Sequence, residues 1–196
     1  MLLLMLLAAG CRPRTVGEAV AEFSGRDYRQ STQTNRFQVE VRFLPVALQV
    51  LTEARLSQDR AVTRQLLDSL SRDRNLGGLA FLLRVGPSDT GRSATFENDI
   101  VYGRDNGFGD WRKALTEYQF GLKEKIWLES DGQKIPLSNY QMENSFGLTP
   151  GRSFLLHFPE HPVGRDRARK VTLVLDGIAP GMGRWRTEWV IPREDV

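Results

Sequence analysis

The chain has 196 residues, of which 40% are hydrophobic and 26% charged, so it can build an ordinary globular core and is too apolar for a disordered tail. Twenty-seven basic residues against 24 acidic ones leave a net charge of +3, with the arginines scattered along the chain, so no concentrated field points to an anionic partner. A single cysteine excludes an internal disulfide and any zinc site built on several thiolates.

Met1 to Leu7 is an unbroken run of leucine and methionine, and Ala8-Ala9-Gly10 leads into Cys11. An apolar stretch followed by small residues is the layout of an export signal, whose small side chains let a peptidase seat the backbone closely. The run falls well short of the roughly 20 apolar residues that a membrane-spanning helix needs. As a thiolate, Cys11 is the strongest nucleophile the chain can offer to a lipid donor. Over residues 1–11 the sequence thus resembles small bacterial lipoproteins of unknown function, which are cut before a cysteine that then carries lipid. It departs from their common pattern at Ala8, where leucine is usual, and in having no Lys or Arg ahead of the apolar run. The resemblance implies a signal peptide over 1–10, lipid on Cys11 and a place in the cell envelope. Arg12 stands where the inner-membrane retention pattern has aspartate, so the resemblance implies an outer-membrane lipoprotein, facing the periplasm or the surface. Export also argues against nucleic acid as a partner.

From Arg12 to Arg36 the residues are polar, with few large apolar side chains, and 11–36 reads as a lipid-attached tether. Some 25 flexible residues would reach roughly 25 to 30 Å. Phe37, Val39, Val41 and Phe43 alternate with polar residues, the period of a half-buried strand. After Pro45, helical spacing predicts one or two helices over about 46–56 and 59–72, with Ser57 or Asp59 as cap. Leu79 to Val85 has little polar character on either face, which suits a central strand. Ser93 to Tyr102 reads as a further strand, and the glycine-containing run 103–109 as a loop. Trp111 to Phe120 reads as a helix capped by Asp110. Leu122 to Glu129 and Lys134 to Leu137 flank Ser130-Asp131-Gly132-Gln133, a strong hairpin signal. Ser153 to Phe158, Val171 to Leu175 and Trp185 to Ile191 complete the strands. The pattern predicts a mainly β fold: an immunoglobulin-like β-sandwich of about seven or eight strands, with one or two helices inserted after the first, forming a single domain over 37–196.

Few constellations point to chemistry. His157 and His161 stand four apart, but Pro159 between them argues against the helix that would align them as metal ligands. Gly151-Arg152-Ser153 and Gly91-Arg92-Ser93 both lack the second glycine of a nucleophile elbow. Asp105, Asn106 and Asp110 lack the spacing of a calcium loop and read as turn residues. Gly181-Met182-Gly183 has no phosphate-loop context. Glu97 and Asp99 share a side if their segment is a strand, and Glu124 lies on another. The cluster Arg165, Arg167, Arg169 and Lys170 reads as a solvated loop or a contact for anionic headgroups. Trp127, Trp185 and Trp189, with Tyr140, fill the core or form a binding face.

These features predict a non-catalytic, membrane-tethered envelope lipoprotein that binds a protein of an envelope or secretion assembly, with no cofactor and no metal. One alternative is a glycan-binding lipoprotein using Trp127, Trp185, Trp189 and Tyr140 as a stacking surface. The other is an envelope hydrolase working through a carboxylate pair.

Overall fold

The computed structural model describes residues 15–23, 28–34, 36–46, 48–49, 61, 63, 65–66, 69, 78–88, 100–101, 108–143, 151–159 and 169–191. Helix α1 spans Val16–Phe23, followed by strands β1 (Arg29–Gln33), β2 (Phe37–Leu44) and β3 (Leu79–Pro87). Helix α2 (Phe108–Phe120) and a 3-10 turn (Leu122–Glu124) precede β4 (Ile126–Ser130), β5 (Gln133–Pro136) and β6 (Asn139–Met142). Strands β7 (Arg152–Phe158), β8 (Arg169–Asp176) and β9 (Arg184–Ile191) follow.

The strands form two antiparallel sheets, one in the order β1-β2-β3-β7-β6 and the other β5-β4-β8-β9. Alternation along each strand decides which face is buried. Phe37, Val39, Val41 and Phe43 of β2 point inward beside Phe81, Leu83 and Val85 of β3 and Phe154, Leu156 and Phe158 of β7, and together they face Ile126, Leu128, Val171, Leu173, Leu175 and Trp189 of the second sheet. The two layers meet where the Phe81 and Trp189 rings cross edge to face at 5.7 Å. The fold is therefore mainly β, a two-layer antiparallel sandwich of the kind expected. It has nine strands among the described residues, and helical residues fall between β2 and β3, at Val46, Leu48, Gln49, Gln65, Leu66 and Ser69.

Local chemistry accounts for the turns. Asp131 and Gly132 both have positive φ, 50° and 75°, which is the backbone of a type I′ turn and matches the right-handed twist of the flanking strands. Ser130 accordingly pairs with Gln133. Helix α2 lies against the core through Tyr118, whose ring is 5.9 Å from that of Phe154 and whose hydroxyl donates to the Ile178 carbonyl at 3.0 Å.

Three expectations change. The segment 11–36 is not a plain tether, because it contains α1 and β1. Thr15 and Glu18 form a capping box in which each backbone N–H meets the other's side chain, at 2.8 and 3.2 Å. β1 then adds a strand to the first sheet, pairing Arg29 to Gln33 with Arg42 to Gln38. Leu122 to Glu129 is divided: a 3-10 turn occupies Leu122–Glu124, and the strand starts at Ile126. β6 arises at Asn139–Met142, where no strand was expected because the alternation of Tyr140 and Met142 with polar residues covers only four positions. The expected strand 93–102 lies outside the described residues except for Ile100 and Val101, both buried in a turn, and most of the helices at 46–56 and 59–72 lies outside as well.

Candidate functional site

The outward face of the second sheet is where the described residues gather charge. Register places the side chains in rows: Trp127 lies beside Pro136 of β5 and Val174 of β8, and Val174 lies beside Arg186 of β9. In the next row, Lys134, Glu129, Thr172 and Glu188 follow one another across the four strands. Asp176 and Arg184 face each other at one end.

Trp127 stays 8% exposed on this outer face because cations cover it: the Lys134 Nζ stands 4.1 Å from its ring centroid and the Arg184 guanidinium 5.5 Å. Its indole N–H donates to Glu129 Oε1 at 3.0 Å. Arg186 binds the same carboxylate with both terminal nitrogens, one at 3.1 Å to Oε1 and the other to Oε2. The Trp127 hydrogen bond first and the Arg186 hydrogen bond second hold the Glu129 carboxyl below its ordinary range. Arg184 pairs with Asp176 at 2.6 Å and Lys170 with Glu188 at 2.7 Å. An open depression of about 540 Å³ lies at the hairpin end of this face, lined by Glu129, Asp131, Lys134, Lys170, Thr172 and Glu188. Among its carboxylates Glu129 is held in its ionised form by Trp127 and Arg186, a setting that opposes the raised pKa a general acid needs.

The residues singled out from sequence do not converge. Trp127 lies on the outer face, whereas Trp189, 3% exposed, and the half-buried Trp185 point into the core from β9. The Trp189 indole N–H has no hydrogen-bond partner among the described residues. Tyr140 packs against the core from β6; its hydroxyl accepts from the Leu122 N–H at 3.2 Å, and burial raises its phenol. Of these four, Trp127 and Trp189 are buried and Trp185 and Tyr140 half-buried, and the Trp111 side chain lies outside the described residues.

His157 is half-buried on β7, with His161 outside the described residues. Glu124 is exposed in the 3-10 turn rather than on a strand, and Asp110 sits in the first turn of α2. Cys11, Glu97, Asp99, Asp105, Asn106, Arg165 and Arg167 lie outside the described residues. Among the described residues, no group of three His, Cys, Asp or Glu side chains is placed to hold a metal, and no helix is long and apolar enough to cross a membrane. The exposed large apolar side chains there are Phe120 at 73%, at the end of α2, and Val190 at 68%, on β9. They sit on separate elements and give no sign of the contiguous apolar patch that a greasy partner interface would need.

Sequence reasoning missed the charged face. A signal for half of it exists in the alternation of Arg184, Arg186 and Glu188, but the partners on β4 and β8 come from cross-strand register, which no single strand reveals.

No family model matches the chain, and no curated protein matches it. Among solved structures it is similar to a DUF4426 family protein from Pseudomonas aeruginosa PAO1, with a TM-score of 0.34 and 10% identity over 83% of this chain and 91% of that one. A TM-score of 0.34 is too low for the likeness to carry fold or function from one protein to the other.

Proposed function

We propose that this protein is a membrane-tethered lipoprotein of the cell envelope, anchored through lipid on Cys11, whose sandwich serves as a non-catalytic binding module for a protein of an envelope assembly. The observation that carries the reading is the run Met1 to Leu7 followed by Ala8-Ala9-Gly10 and the chain's sole cysteine. The described domain supports the non-catalytic part: Glu129, Asp176 and Glu188 each engage a cation, and Glu129 is held in its ionised form. A polar partner surface fits this face better than an apolar one, because it carries both signs of charge in the pairs Arg186–Glu129, Arg184–Asp176 and Lys170–Glu188. Arg12 after the anchor favours the outer membrane.

Expression in a bacterium with intact lipoprotein processing tests the anchor. The native protein is expected to partition into detergent, and Cys11→Ser to release it into the aqueous phase. Identical partitioning of the two overturns the reading. For the binding role, cross-linking in intact cells is expected to give a discrete heavier adduct, and recovery of the monomer alone would count against it.

A further inference from the structure

We infer that the sandwich rides directly on the bilayer surface, held there by a very short link, with the start of α1 turned toward the lipid headgroups. This placement rests on the lipid anchor proposed at Cys11.

Only Arg12, Pro13 and Arg14 separate Cys11 from Thr15. Four residue steps, even fully extended, span at most about 14 Å. Thr15 is already the cap of α1, fixed by its reciprocal bonds with Glu18. The helix it opens is not loose: Val16 and Ala19 are buried, and Thr15 forms an antiparallel bridge with Ala61. Beyond α1 the chain enters the first sheet at β1, which is paired along its whole length with β2. The structured body therefore begins within four residues of the acylated sulfur, and little chain remains to serve as a spacer. The same short link carries two guanidiniums, Arg12 and Arg14, within reach of the headgroups. An anionic lipid surface attracts such juxtamembrane cations, so charge draws the body in the direction that the covalent link already dictates. The side of the domain next to the membrane is the one bearing Thr15, Glu18 and Ala61, at α1's beginning.

The test uses the full-length lipidated protein in vesicles of phosphatidylcholine and phosphatidylglycerol. Ala21 is exposed on α1, and with Cys11 carrying lipid the variant Ala21→Cys presents one free thiol for a fluorophore. Nitroxides on the lipid headgroups then report its distance from the bilayer by quenching. A second form carries a Gly/Ser spacer of about 24 residues between Arg14 and Thr15, which would hold the body roughly 27 Å further away on average. Both forms are expected to float with the vesicles, with quenching several-fold stronger in the form without the spacer. Equal quenching in two vesicle-bound forms, whether strong or weak, overturns the placement and leaves the anchor standing. A protein that stays in the aqueous phase overturns the anchor, and the placement with it.

Discussion

Glu129 accepts from the Trp127 indole and from both terminal nitrogens of Arg186, so the folded protein stabilises its charged form. Its folded-state pKa lies below the ordinary 4.5. The stability this contributes is present above that value and is lost as the pH falls through the lower, folded pKa. Glu129→Gln is therefore expected to be less stable than the native protein near neutral pH and to lose less on acidification below about 4.5, a difference that urea midpoints measured across the acid range would reveal. At the neighbouring turn the cause is steric rather than electrostatic. A Cβ on Gly132 would meet no atom within 4 Å, yet the residue sits at φ +75°. Gly132→Ala is thus expected to cost about 1–2 kcal/mol through backbone strain alone. Denaturant titration with an unchanged m-value would match that origin, and a neutral effect would contradict it.

At the scale of elements, the sandwich has an open side where β1 and β9 run along the margins of their sheets, and Gln30 spans it. Its amide donates to the Glu188 carbonyl at 2.6 Å, and its Oε1 accepts from the buried Thr187 hydroxyl. One side chain thereby joins the two layers and occupies an acceptor on β9. Unpaired strand margins recruit other chains. Gln30→Ala is expected to lower stability by about 1–2 kcal/mol, since the Thr187 hydroxyl is left buried without its acceptor, and to raise self-association at high concentration, seen by sedimentation. Elements with strong periodicity were legible in the sequence. β2 alternates over eight residues, β3 is apolar except at Arg84 and lies at the centre of its sheet, and Asp-Gly marked the β4–β5 turn. Polar edges were not. β1 is Arg-Gln-Ser-Thr-Gln, without an apolar residue, and β6 is Asn-Tyr-Gln-Met, whose alternation is too short to stand out; each is a strand because a neighbour offers hydrogen bonds. α1 did carry a local signal, the Thr15-Val16-Gly17-Glu18 capping box ahead of Ala19 and Val20, which the polar tone of the surrounding segment outweighed. The charged face was legible strand by strand but not as a surface, because its pairs join different strands, β8 to β9 and, for Arg186 with Glu129, β9 to β4 across β8.

For the molecule as a whole, pairing is sequential along the second sheet's hairpins and distant across the first. Residues join the two sheets on both margins: Gln30 on one side, and the short link Leu137-Ser138 between β5 and β6 on the other. The ladder between β3 and β7, from Leu79 opposite Phe158 to Val85 opposite Arg152, brings together positions about 70 apart in sequence, and such long closures slow folding. Refolding from urea is expected to fall in the millisecond-to-second range typical of all-β sandwiches, measured by the fluorescence of Trp189 against Phe81; microsecond refolding would show that this ladder does not limit the rate. The same ladder gives the newly made chain a time window. Until β7 has been synthesised and has found β3, the first sheet stays without the strand beside its centre, so under the proposed export the same delay would leave the newly made chain unfolded for longer, in the form that a translocation pore requires.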